Sequence, residues 1–145
     1  MKLMKHFFTI VLLTAVCLSG CSSNVPLSGR ITFEDNGEPL TMGTIGFIKG
    51  TDQARSDIDS DGRYTLGFQG ATDGLPKGEY NVYIQAVLIE HIYGPPNPYG
   101  EPEVIERIVT PLIADKYRDP ATSGLTYIVD GKSKTFDIKV ERPWK

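Results

Sequence analysis

The apolar residues of this chain recur at every second position, in short runs broken by glycine-bearing turns. Ile31 and Phe33 alternate with Arg30, Thr32 and Glu34; Ile45 and Phe47 with Thr44 and Gly46; Tyr64, Leu66 and Phe68 with Arg63, Thr65 and Gly67. A strand sends successive side chains to opposite faces, so a period of two marks a ribbon buried on one side. The longest run covers 79–90, where Tyr80, Val82, Ile84, Ala86 and Leu88 share a face opposite Asn81, Tyr83 and Gln85. Leu125, Tyr127 and Val129 define one strand near the end, and Phe136, Ile138 and Val140 another, joined by the turn Asp130-Gly131. Asp35-Asn36-Gly37, Asp61-Gly62 and Lys77-Gly78 supply further reversals, each with a glycine free to take a positive φ. With the more polar 53–58 counted, about seven strands result, and no stretch of helical period is long enough for a stable helix. The expected fold is all-β, an antiparallel sandwich of two sheets.

One stretch breaks the rhythm. Residues 91–111 contain Gly94-Pro95-Pro96-Asn97-Pro98-Tyr99-Gly100 followed by Glu101, Glu103 and Glu106. A tight hairpin is not expected there, because loops longer than about 12–15 residues are usually functional or disordered. Tyr93, Asn97 and Tyr99 can present aromatic platforms and an amide to a sugar or a peptide, with the prolines limiting the ordering cost. The competing structural reading folds these tyrosines back over the sandwich edge to block strand addition. Beyond the loop, 114–117 is expected to form one short helical turn, ended by Pro120. Trp144 is read as a plug at the base of the sandwich.

The amino terminus carries an address. Lys2 and Lys5 precede the apolar run 7–18, which is shorter than the ~20 residues needed to span a bilayer. It closes with Leu18-Ser19-Gly20-Cys21, which resembles the lipobox of bacterial lipoproteins. That resemblance implies a diacylglycerol thioether on the Cys21 thiol, cleavage before it and acylation of the new amine. Residues 1–20 are then a signal peptide, 21–26 a lipidated tether and 27–145 the folded domain. An ordinary secreted protein with a chance cysteine is the alternative. Each buried methylene adds about 0.8 kcal/mol, so such an anchor holds the domain to the membrane essentially permanently. Ser22 stands where an aspartate would signal inner-membrane retention, which favours the outer membrane or the cell surface.

Composition narrows the chemistry. A net charge of −3, more acidic once the two leader lysines are removed, argues against nucleic acid as a partner. Cys17 and Cys21 are the two cysteines and both lie at the signal junction, so no disulfide staples the domain. His91 is the single histidine after the leader, which leaves no tetrahedral zinc set and no second imidazole. No G-x-S-x-G elbow accompanies it, so Ser-His-Asp catalysis is not expected and the chain is read as non-enzymatic. Asp57, Asp59 and Asp61 before Gly62 spell the first half of a calcium loop, but Phe68 stands where its bidentate glutamate belongs. The favoured reading is a solvated hairpin turn, and the alternative is a low-affinity calcium site. No other cofactor is expected.

The segments Leu27-Ser28-Gly29-Arg30-Ile31-Thr32-Phe33, Gly37-Glu38-Pro39-Leu40 and Gly43-Thr44-Ile45-Gly46-Phe47 resemble the opening of carboxypeptidase regulatory-like domains, which are transthyretin-like sandwiches. Asp59-Ser60-Asp61-Gly62-Arg63-Tyr64 is similar to that family's D-x-D-G-x-Y hairpin, and Pro76-Lys77-Gly78-Glu79-Tyr80-Asn81-Val82 to its P-x-G-x-Y-x-V motif. The stretch 116–126 also resembles small lipoproteins built on this domain. The resemblance spans most of 27–141 and implies a transthyretin/Ig-like frame. Its motifs are turns and strand starts, so it implies no active-site residue. The enzyme of this fold that hydrolyses 5-hydroxyisourate relies on several histidines and a C-terminal Tyr-Arg-Gly-Ser, whereas this chain ends Glu141-Arg142-Pro143-Trp144-Lys145. The expectation is an envelope lipoprotein that binds a protein partner, or alternatively a carbohydrate-binding accessory using the 91–111 loop.

Overall fold

The computed structural model of the chain describes residues 24–67 and 73–143. The leader, the Cys21 lipidation point, Phe68 and Trp144 lie outside the described residues. Nine strands follow one another: β1 (Leu27–Phe33), β2 (Thr44–Lys49), β3 (Asp52–Asp57), β4 (Arg63–Leu66), β5 (Gly78–Gln85), β6 (Val87–Tyr93), β7 (Val104–Pro111), β8 (Leu125–Val129) and β9 (Ile138–Val140). The one helical element among the described residues is a 3₁₀ turn, Asp115–Arg118, near where the sequence places it. It follows Ala114 and stops short of Pro120.

Two sheets form the sandwich. One has the order β4-β1-β9 and the other β3-β2-β5-β8. The alternating apolar positions point between them: Ile31, Ile45, Phe47, Tyr64, Leu66, Tyr80, Val82, Ile84 and Val140 are all buried. Phe47 is fully enclosed and lies 6.3–6.4 Å from the rings of Tyr64, Tyr80, Tyr127 and Phe136, three of them edge-on. These rings come from both sheets, so one aromatic cluster joins the layers. Edge-to-face pairs at such spacing add roughly 0.5–1.5 kcal/mol each beyond their buried area.

Close approach is bought locally with glycine. A Cβ on Gly29 would sit 2.0 Å from the Phe136 carbonyl oxygen, the same oxygen that accepts the Tyr64 hydroxyl hydrogen bond at 2.5 Å. Gly62 takes φ +77° to turn the chain from β3 into β4, and a side chain there would strike the Ile31 carbonyl. Among the described residues no buried side-chain polar atom lacks a partner. At the far end Arg142 donates to Asp35 and Glu38 at 2.8 and 3.2 Å while its guanidinium covers Phe33, which ties the chain end to the β1–β2 turn.

Four features depart from the sequence reading. The strand expected across 79–90 divides at Ala86 into β5 and β6. The last two strands are not a hairpin: a turn forms at Asp130-Gly131, but β8 pairs with β5 while β9 crosses to the other sheet and runs parallel to β1. The frame is therefore antiparallel except for that one pair. Val25, assigned to the tether, is buried and exchanges two backbone hydrogen bonds with Leu75, at 2.7 and 2.8 Å, because its side chain completes the core. Finally, 91–111 is largely part of a hairpin, β6 with β7, which together with the division at Ala86 raises the strand number from seven to nine.

Phe47→Ala is expected to destabilise the domain by about 3–5 kcal/mol in urea unfolding, since four rings lose their common contact. Burial, with a smaller contribution from the Asp137 carboxylate, pushes the Tyr64 phenol above its ordinary value. The folded state thus holds that proton more tightly than the unfolded chain. Its contribution to stability is complete below about pH 10 and falls as pH rises beyond it. Urea midpoints from pH 8 to 11 should decline more gently in Tyr64→Phe than in the native chain; equal slopes would contradict this.

Candidate functional site

β5 and β8 are direct neighbours in one sheet, yet the chain makes a long excursion between them. Part of that excursion covers the sandwich. Ser123 donates its hydroxyl to the Val82 carbonyl at 2.5 Å and Tyr117 is buried. The rest leaves the body as an arm. β6 and β7 pair only with each other, from Val87 opposite Pro111 to Tyr93 opposite Val104, with a bulge between Ile92 and Tyr93. The Leu112 amide donates to the Ala86 carbonyl at 3.0 Å and closes the base.

The arm is exposed on both faces, and β7 is exposed at every position. Eight of the ten large apolar side chains that are exposed among the described residues lie on it. This overturns the expectation of an irregular loop, for a physical reason. Val104-Ile105-Glu106-Arg107-Ile108-Val109 is rich in β-branched residues, and their strand preference prevails over the nearby prolines and acids. That run was the signal available in the sequence. The prolines are confined to the tip and to Pro111 at the end of β7, where ladder donors are not needed.

At the tip, Asn97 is the organiser. Its side-chain carbonyl accepts hydrogen bonds from the backbone amides of Tyr99 and Glu101 at 2.9 and 3.0 Å, and its backbone amide donates to the Glu101 carbonyl at 2.9 Å. The side-chain oxygen is thus used internally, in ordering the tip. Tyr99 is 90% exposed beside it. Tyr93 stands apart on β6, its ring 6.3 Å from that of His91. The structure therefore brings Asn97 and Tyr99 together and leaves Tyr93 on the ribbon. The tyrosines do not fold back over the sandwich edge: the pairing of β6 with β7 carries both away from it.

Within the acidic turn, Asp59 caps backbone amides. Asp59 Oδ1 accepts from the amides of Asp61 and Arg63 at 2.9 and 2.8 Å, while Asp57 faces the Thr44 hydroxyl at 3.4 Å. Among the described residues, no three His, Cys, Asp or Glu side chains converge as metal ligands would. A polar cleft of about 580 Å³ opens beside the 3₁₀ turn, lined by Gln85, Asp115, Lys116, Arg118, Asp119 and Thr122. Its charged groups are engaged: Arg118 pairs with Asp115 at 2.9 Å, Lys116 with Glu141, and Asp119 Oδ1 accepts from the Ala121 amide. The Glu141 hydrogen bond holds the Lys116 ammonium above its ordinary range. This cleft was not foreseen, because its residues sit in an irregular segment and meet only through the fold.

No family model and no curated protein matches the chain. Among solved structures it is similar to BcpA, the major pilin subunit of Bacillus cereus, with 8% identity over 83% of this chain and 30% of that one, at a TM-score of 0.43. A 9R-lipoxygenase from Cyanothece shares 16% identity over 84% of this chain and 17% of the enzyme, at a TM-score of 0.33. The chain spans less than a third of either protein. Likenesses of this size assign no activity, and the sandwich rests on its own strand pairings.

Asp59→Ala is expected to cost about 1–2 kcal/mol, from two amides left without their acceptor. Asp57→Asn should cost less than about 0.5 kcal/mol. Thermal unfolding with and without millimolar calcium checks the assignment: a calcium-dependent rise in Tm abolished by both substitutions would show that the turn is instead a metal site.

Proposed function

We propose that this chain is a lipid-anchored, non-enzymatic module of the cell envelope that holds a protein partner through the β6–β7 arm. The observation that carries this reading is the arm itself: a paired ribbon, apolar on both faces, projecting from a sandwich whose own core is closed. Contiguous exposed apolar surface on a folded domain marks an interaction site, and a lone two-stranded ribbon is marginally stable in water unless something covers it. The Leu18-Ser19-Gly20-Cys21 motif supports attachment to the membrane, at the outer membrane or cell surface given Ser22. The carboxypeptidase regulatory-like resemblance supports the frame, since Gly37-Glu38-Pro39-Leu40, Asp61-Gly62 and Lys77-Gly78 are turns and strand starts of the sandwich and none lies in the arm.

The carbohydrate-binding alternative is favoured by one feature, the exposed Tyr99 ring at an ordered tip. The two readings part in a single set of variants. The native chain should capture a stoichiometric envelope protein and leave a glycan array blank, and replacing 87–111 by a short turn should abolish the capture while the sandwich stays folded. Sugar binding lost in Tyr99→Ala, with protein capture unaffected by the deletion, would establish the alternative instead. Cys21→Ser should release the chain from the membrane fraction; a membrane-bound Cys21→Ser product would refute the anchor.

A further inference from the structure

Strand alternation sorts the charges of the arm. His91 lies directly opposite Arg107, on the face shared by Ile89, Val109 and Tyr93. The next residues in each strand turn the other way, so Glu90 and Glu106 share the opposite face with Ile92 and Ile108. Apart from the bulge residue Ile105, the first face carries no acid and the second no base. Among the described residues Glu90, Glu106 and Arg107 make no ion pair and no side-chain hydrogen bond, and the His91 ring lies 6.3 Å from that of Tyr93. Glu90 and Glu106 are diagonal neighbours across the ribbon, about 7–8 Å apart in the usual geometry, and repel one another. One face is thus an apolar stripe carrying the unpaired Arg107 guanidinium beside His91, the other an apolar stripe carrying two unpaired carboxylates, and the two are alike in size and opposite in sign.

We propose that the arm is a self-association element: the face bearing His91 and Arg107 in one copy docks on the face bearing Glu90 and Glu106 in a second copy. This deepens, and rests on, the reading of the arm as a protein-docking surface. Like faces do not meet, because that would oppose charges of one sign. The contact is therefore heterologous, and each copy has one face of each kind, so association closes into a ring or continues through further copies. Strands of seven and eight residues make a ribbon roughly 25 Å long and about 10 Å wide. Such a contact is smaller than the ~800 Å² per partner of a stable complex, so it is reversible and depends on concentration.

Sedimentation velocity on the purified full-length chain in mild detergent tests this. The native chain should shift from monomer to dimer and larger species between about 10 and 500 µM. Two double variants, Glu90→Lys with Glu106→Lys and His91→Glu with Arg107→Glu, should each associate at least about tenfold more weakly. Their urea midpoints check that both fold. Their equimolar mixture should associate again, because each then offers faces of the sign the other needs. A native chain that stays monomeric throughout, or a mixture that fails to recover, would overturn the proposal. Undiminished association in both variants would assign the contact to the strand edges and overturn face docking as well. A monomeric chain that still captures a different envelope protein through its arm would refute self-association alone; loss of both would refute the docking reading too.

Discussion

Phe47 is the point through which the two layers of this protein are joined. Its ring touches aromatic side chains delivered by β4, β5, β8 and the segment before β9, and its neighbours Tyr64 and Tyr80 spend their hydroxyls on backbone carbonyls. The rings thereby bury apolar area without leaving a polar atom unpaired, and they fix how closely the sheets approach. Gly29 exists in that geometry because the Phe136 backbone passes too near for a Cβ. The core thus accounts for the small residues as well as the large ones.

That self-sufficiency frees the excursion between β5 and β8. The two strands pair directly, so nothing in the sandwich requires the arm, and the arm contributes little to burying the core. Its length, apolar faces and sorted charges are unexplained by stability, since exposed Ile, Val and Tyr on an isolated ribbon gain almost nothing from folding. The body is closed while the arm leaves its apolar side chains in solvent, and this asymmetry is what supports the proposed docking role. Its two faces answer each other in charge.

The frame was legible at the level of strands because burial on one side leaves a period of two, as in Tyr80-Val82-Ile84 or Tyr64-Leu66. Candidate residues were less legible. Asn97 reads in sequence as a ligand amide in a proline-rich loop, whereas its carbonyl is the cap that orders the tip. Asp59 reads in sequence as one member of an acidic run, and it too caps backbone amides. Short polar side chains near turns serve local backbone groups first, and residue type alone does not say which will be left over for a ligand. The arm's apolar residues were obscured by the prolines and glutamates among them.

From the sequence alone came the strand period and the reversals at Asp61-Gly62 and Lys77-Gly78, which are properties of neighbouring residues. The tertiary structure decided which sheet each strand joins, that β9 runs parallel to β1, that Val25 belongs to the core and that β6 and β7 stand apart from it. A local pattern specifies which side of a strand is apolar; it cannot specify what meets that side. That choice is made by pairings between residues far apart in the chain, where packing of whole sheets outweighs the preference of any one turn.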